Sequence, residues 1–514
     1  MNKTKAWYWL LSFIALFLLS HDFLFTSSPK STGSKIVYAI LLIYIAVVFL
    51  GSLRGAKQDA TTPEGYFLAN RSLGTLTLFF TILATNFSAF YFLGFAGEGY
   101  RVGYTYYVVM ALGTGFAAFS FFLLGTKIWR LGKENGHITP GELIHHRTGS
   151  NPLRWLYALV MIVFTFPYLS LQIVGAGYIL ETITQQQVPY LWGASFLTLF
   201  TIAYVWIGGM RSVAKTDLKQ GLLAIGLMLA AVVVITSSLG GLTSANGQVF
   251  ALEPSLFSRE GAGAKYPPQK WFSILIFWLF CIPMFPQIFM RFYVAKDLDK
   301  LKKSALLYGG IPLIISLFPV IIGVLGHLSF PGLEGKAADQ ILPMMLVEHS
   351  SEWFAALVLT GALAAFMSTL DSQLLALSTI VTRDFVLPFR KDLTLAQQVK
   401  VGRLCVILFA LIGLGIAARP FDTIFDMGKL AFSGLSILFP ITLAVLYWKI
   451  VKPASAIIAI LAGESLLLAF YYEWLPNEFL LGFDTYLFAV LLAFLILALG
   501  VVFTTAETIP TKNE

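Results

Sequence analysis

Fourteen apolar segments follow one another along the chain, near residues 7–26, 36–53, 75–97, 104–126, 153–182, 188–208, 217–240, 270–294, 304–328, 352–382, 400–418, 424–448, 453–473 and 483–504. Each is close to or beyond the roughly 20 residues a helix needs to cross a hydrocarbon core. The apolar residues run on instead of alternating, which excludes a transmembrane β-barrel. In lipid the backbone must satisfy its own hydrogen bonds, which leaves helices. Charged residues make up only 12% of the 514, against 57% hydrophobic, where soluble domains carry about 25% charged. The sequence therefore predicts an all-α polytopic membrane protein with about fourteen transmembrane helices.

The formal net charge of +8 does not point to nucleic acid, because the basic residues fall in short clusters between alternate apolar segments. Such clusters mark cytoplasmic loops. With the N-terminus inside, Arg54, Lys57 and Arg71 lie in the cytoplasm, followed by Lys127, Arg130 and Lys133, then Arg211, Lys215 and Lys219. The run from Arg291 to Lys303 and the group from Arg383 to Arg403 complete the pattern, and Arg291 is read as one more topology charge. Both termini are thus expected in the cytoplasm. The first segment lacks a small-residue cleavage site and is expected to be an uncleaved anchor. Two cysteines, Cys281 and Cys405, and six histidines without zinc spacing offer no disulfide framework or metal motif. His145 and His146 are placed in a polar loop.

Two apolar segments are interrupted. "FTILATNFSAFYFLGFAGEGY" sets Asn86, Ser88 and small residues at membrane depth, and "FWLFCIPMFPQIFMRF" sets Pro283 and Pro286 in mid-span. Proline removes a backbone donor and clashes with the carbonyl four residues back. Broken helices at corresponding places in two halves mark the binding site of a secondary transporter, although small residues and proline also serve simple packing. The stretch "AAFMSTLDSQLLALSTIVTRDF" (364–385) carries a second signal. At 100° per residue, Gly361, Ala365, Ser368, Ser372 and Thr379 share a narrow sector. Asp371, Ser378 and Thr382 flank one side of it, and Thr369 borders the other. An aspartate at a helix centre costs about 2.5–3.5 kcal/mol on insertion scales. A stripe of hydroxyls with a carboxylate is what a hard cation needs in place of its water, though such hydroxyls also bond their own helix.

Four islands together resemble the sodium/solute symporter family, which includes sodium/proline, sodium/pantothenate and sodium/galactose symporters. They are "EGYFLANRSLG" (64–74), "ATNFSAF" (84–90), "YVWIGGMRSVAKTDLKQG" (204–221) and the 364–385 stretch, in family order over about residues 36–450. The resemblance implies a leucine-transporter-like fold of two inverted five-helix repeats plus peripheral helices. On that basis residues 1–74 hold two peripheral helices and a cytoplasmic loop. Residues 75–240 form the first repeat, 241–269 an extracellular loop, 270–448 the second repeat, and 449–514 two further helices and a short tail.

The resemblance also implies site residues. A sodium site is expected from the carbonyls of Ala84, Phe87 and Ala365 with the hydroxyls of Ser368 and Thr369. A second sodium, held by some members, would sit at Asp217, Ser368, Asp371 and Ser372. Alternatively, Asp217 caps a helix start and pairs with Lys215 or Lys219. Substrate positions are Asn86, Phe90, Tyr91, Trp278, Ile282 and Pro286. Asn86 stands where sodium/proline symporters have an aspartate, and Ile282 where they have a tyrosine. The expected activity is sodium-coupled uptake of a small organic solute by alternating access across the plasma membrane (the inner membrane in a bacterium). Na+ is the co-transported ion, the lipid bilayer is the surroundings, and no obligate protein partner is expected. A proton-coupled carrier using Asp217 or Asp371 is the alternative. A membrane enzyme or sensor on the same scaffold ranks below it, since no catalytic cluster of His, paired acids or metal ligands stands out. Amino acids, vitamins, sugars and carboxylates all remain open as solutes.

Overall fold

The computed structural model describes residues 32–55, 63–448 and 451–507. The first apolar segment, 7–26, lies outside the described residues. Every later segment has its helix. Among the described residues eight helices are long and apolar enough to cross a membrane, or nine if a bent pair counts as one span. Four shorter apolar helices, Lys35–Val48, Thr75–Ala84, Tyr190–Trp206 and Thr485–Val501, complete the set.

Ten core helices can be followed in order. The first is Thr75–Ala84 followed, after a break, by Phe95–Val102. The second is Thr105–Asn135 and the third Asn151–Ile183. The fourth and fifth run on as one helical stretch, Tyr190–Ser238, whose 49 residues are about twice what one crossing needs. The sixth is Pro268–Met284 with Pro286–Val294, bent by 60° at the break, and the seventh is Leu298–Leu328. The eighth is Glu352–Ile380, the ninth Leu395–Ala417 and the tenth Ile424–Tyr447. His145 and His146 fall on a short helix, Pro140–Thr148, rather than in a loop, because Thr139 caps it and Glu142 closes the capping box. The expected loop at 241–269 likewise contains a helix, Leu242–Leu252.

Burial separates the centre from the rim. The apolar windows of the eighth and tenth helices are each 83% buried, those of the ninth and of Pro453–Tyr471 only 33%. A helix sheathed on all sides by protein can carry polar groups that lipid would reject, and the eighth helix is such an element. The two interrupted helices are also tied to each other. Leu73 N donates to Val294 O at 3.1 Å, and Lys296 N donates to Leu73 O at 3.0 Å. The start of the first core helix and the end of the sixth are therefore fixed together on the Lys- and Arg-rich side.

On the opposite side an ion-pair network holds the end of the first core helix. Glu98, fully buried, accepts from Arg101 at 2.9 Å, Lys265 at 2.6 Å and Tyr266 at 2.9 Å. Arg101 also pairs with Asp339 at 3.1 Å, and Asp339 accepts from the backbone N–H of Ile424 at 2.8 Å. Segments preceding the sixth and eighth helices, with the start of the tenth, thus close over the first.

Candidate ion and solute site

The break in the first core helix releases carbonyls. In a regular helix the N–H of Ser88 would bond Ala84 O and that of Tyr91 would bond Phe87 O. Here Ser88 N bonds Asn86 O at 2.9 Å and Tyr91 N bonds Ser88 O at 3.0 Å. Ala89 N is taken by Gln172 Oε1 at 2.9 Å, reaching in from the third helix. The carbonyls of Ala84 and Phe87 are left facing the eighth helix. Thr369 Oγ1 meets them there, 3.2 Å from Ala84 O, 3.5 Å from Phe87 O and 3.2 Å from Ala365 O. One hydroxyl hydrogen serves one of these oxygens at a time. Four of the five expected sodium ligands therefore converge on one point. They are neutral oxygens, the donor type that suits a hard cation.

The fifth, Ser368, is turned to the next pocket. Its Oγ donates to Asp217 Oδ1 at 2.5 Å. Asp217 lies within the continuous stretch Tyr190–Ser238 and is fully buried, so it does not cap a free helix start. Lys219 is exposed, and the cation beside Asp217 is Arg291. Arg291 is fully buried as well, which corrects its reading as a topology charge. Its Nη2 lies 3.5 Å from Asp217 Oδ2 and donates to Ser372 Oγ at 2.5 Å. Its Nη1 donates to Gln287 O at 3.0 Å and its Nε to Thr81 Oγ1 at 3.3 Å, while Thr81 itself donates to Asp217 Oδ2. Asp371 completes the cluster, accepting from Tyr204 at 2.6 Å and from Ser372 at 3.2 Å. All four residues expected around a second ion are thus together, with a guanidinium among them.

On the other side of the break lies a narrow pocket with about 30 Å³ of free space. Of the expected substrate residues, Asn86, Phe90, Tyr91, Trp278 and Ile282 line it, joined by Phe87, Tyr168, Phe285, Tyr308 and Phe432. Pro286 does not line it. It opens the second half of the sixth helix, where proline's missing N–H costs nothing, and Phe285 before it provides the wall. No charged side chain lines this pocket among the described residues. Asn86 Nδ2 donates to the Tyr308 hydroxyl, and the rings of Phe90 and Phe432 stand 5.1 Å apart edge to face. Glycines make room for these rings. A Cβ at Gly113 would come within 2.3 Å of Trp278, and one at Gly428 within 2.6 Å of Phe90.

Arg291, Tyr204, Thr81, Gln172, Tyr308 and Phe432 were not expected from the sequence. Arg291 carried a usable signal, since it lies within the apolar run "PQIFMRFYV", and an ionisable residue inside a span is a functional candidate. The aromatic residues carried none, being among 45 Phe and 21 Tyr.

A model of the sodium:solute symporter family matches residues 66–463. The sodium/pantothenate symporter of Escherichia coli (strain K12) is 27% identical over 431 residues, 82% of this chain and 88% of that protein. The osmoregulated proline transporter OpuE of Bacillus subtilis (strain 168) is 26% identical over 447 residues, 84% of this chain and 88% of that protein. Among solved structures, a substrate-bound, outward-open Na+-coupled sialic acid symporter superposes with a TM-score of 0.76 at 18% identity. It covers 93% of this chain and 99% of its own. Mhp1, a nucleobase-cation-symport-1 family transporter, gives 0.59 at 15% identity, covering 89% and 97%. The fold is accordingly that of leucine-transporter-like carriers. The chain belongs to the sodium:solute symporter family, and it is a multi-pass plasma-membrane transporter that couples movement of a solute to sodium, not an enzyme.

Proposed function

We propose that this transporter takes up a small organic solute together with Na+ bound at Ala84, Phe87, Ala365, Ser368 and Thr369. The observation that carries the reading is that the break at 84–87 faces both ligands. Its carbonyls point to Thr369, and the side chains of Asn86 and Phe87 line the aromatic pocket. An ion that orders this segment also shapes the solute pocket, and by linkage the solute tightens the ion to the same degree. Ser368 would join the shell by rotating from Asp217. The solute would place an apolar body among Phe90, Trp278 and Phe432, and a polar end toward Asn86 and Tyr308. The carrier would be built as repeats over 75–240 and 270–448, with 1–74 and 449–514 peripheral and both termini cytoplasmic. Closure of the Glu98–Arg101–Asp339 network would then seal the outer route.

Uptake into liposomes containing the purified protein tests this, with pantothenate and proline, the solutes in the names of two similar proteins, as first probes. Accumulation is expected with an inward sodium gradient and not with potassium in its place. Uptake that survives without sodium but collapses with the pH gradient would put the coupling on a proton and overturn the reading.

A further inference from the structure

We propose that a cavity behind the tenth helix is a second ligand site, separate from the solute pocket, and that it takes an organic ammonium ion with an apolar body. The cavity lies between the third helix, the tenth helix, Pro453–Tyr471 and the start of Thr485–Val501. It holds about 250 Å³ of free space, against about 30 Å³ in the solute pocket. It sits at the end of the molecule held by the Glu98 network, since Asp339 of that network bonds the N–H of Ile424, where the tenth helix begins. Phe164, Phe421, Leu467 and Tyr471 give the cavity apolar and aromatic walls, and Asp422, Asp426 and Asp484 bring carboxyls to it. Lys429 is committed to Asp484 at 2.8 Å. The carboxyls of Asp422 and Asp426 accept only from Thr423, through its N–H at 2.7 Å and its hydroxyl at 2.6 Å, and neither has a basic partner among the described residues. An ammonium group placed there would meet free carboxyl oxygens and ring faces together.

Glu464 is an independent sign of a ligand. It precedes Leu468 and Tyr471 on Pro453–Tyr471, and both of those residues line the cavity. At 100° per residue the three share one strip of the helix, so Glu464 continues the lining strip one turn deeper. Both of its carboxyl oxygens are buried without a hydrogen-bond partner among the described residues. A buried carboxyl left unpaired is costly, and an ionisable residue inside a span marks a functional site. The tenth helix connects this site to transport. Lys429 and Tyr486 also border a narrow space lined by Phe90, Trp278 and Phe432, and those three rings line the solute pocket. A ligand in the cavity thus holds the helix that carries Phe432, and it would alter uptake without competing for the solute's place.

Calorimetric titration of the purified full chain with phenethylamine, in potassium chloride and without solute, tests this. Saturable binding of one amine per chain is expected, and no binding of phenylacetate, which has the same ring and the opposite charge. D422N/D426N should weaken the amine roughly tenfold or more. L430W, which fills the cavity and keeps the carboxyls, should do the same, and if either variant does not fold the other decides. N86A should bind the amine as the wild type does. Loss of binding in N86A would place the amine in the solute pocket and overturn the proposal. So would absence of saturable binding, equal binding of phenylacetate, or full affinity in D422N/D426N or L430W. A lipid headgroup could supply the same ammonium. Displacement of phenethylamine by short-chain phosphatidylethanolamine, and not by phosphatidylglycerol, would make the bilayer the source of the ligand, and displacement by neither would make it a free amine.

Discussion

The two sides of the break at residues 84–89 are built from opposite materials. Toward the eighth helix the groups are oxygens and charges fixed at 2.5–3.5 Å, in which Asp217, Arg291, Ser368, Thr369 and Ser372 bond across helices. Toward the sixth and tenth helices the walls are rings, with no charged side chain lining the space among the described residues. The polar side has little freedom to rearrange, because each buried charge needs its partner. The aromatic side gains its energy from area and ring geometry, which tolerate small changes in shape. On the proposed sites, ion selectivity would sit where geometry is rigid, and solute choice where side chains can vary without endangering the fold.

Breaking the rigid side is expected to have the largest effect. Asp217→Asn leaves Arg291 without its carboxylate in a fully buried place, which costs about 3–5 kcal/mol for a broken buried pair. A thermal melt of the purified protein measures it, and the double variant D217N/R291Q is expected to recover part of the loss. A D217N protein as stable as the wild type would show that the cluster is not held by this pair.

Next comes the ion itself. Thr369→Ala removes the oxygen that meets three carbonyls. At roughly 2–3 kcal/mol for an interaction involving a charged partner, half-saturation for sodium should rise about 30- to 160-fold. Thr369→Ser keeps the hydroxyl and should stay near the wild type. On the aromatic side the expected loss is smaller. Asn86→Ala deletes one neutral hydrogen bond at the pocket, worth about 1 kcal/mol, so solute affinity should fall roughly tenfold at most while sodium binding by the unloaded protein changes little. If both parameters move equally in N86A, the division between the two sides is wrong.

How much of this could be read in advance follows the same division. The break at Asn86 and the bend at Pro286 were legible because proline and polar residues inside apolar runs disobey helix rules. The stripe through Ser368, Thr369 and Asp371 was legible because hydroxyls at helical spacing share a face. The fourth and fifth helices were expected as two, and they run on through "GGMRSVAK", since nothing in that basic stretch forbids helix. Arg291 was misread because it stands in the last turn of an apolar run beside a basic loop, although its place inside the run was itself a signal. Its partner Asp217, 74 positions away in sequence, became visible only in the fold. Phe432 and Tyr308 were invisible for a different reason. One ring among many has no local pattern, and what makes it part of a pocket is which helices the fold brings around the first.

The weakest expected effect lies at the far end of the first core helix and asks whether the rigid chemistry extends there. Asp339, between the seventh and eighth helices, is pushed up to about 6 by burial, against the pull of Arg101 and the Ile424 N–H and with Glu98 adding to the rise. Packed, it holds a proton more tightly than at its ordinary value of 3.8. Acid therefore favours the closed network, and the advantage is lost as pH rises through about 6. If opening restores the ordinary value, moving from pH 7 to 5.5 should favour closure by roughly fourfold. Labelling of a cysteine placed by F90C, in a background without Cys281 and Cys405, reports the opening. Its rate at pH 5.5 relative to pH 7 should fall by that factor in F90C when normalised to F90C/D339N, which cancels the pH dependence of the thiol. An unchanged ratio would mean that Asp339 stays as buried in the open form as in the closed one, and that the outer network moves as a block with its charges still paired.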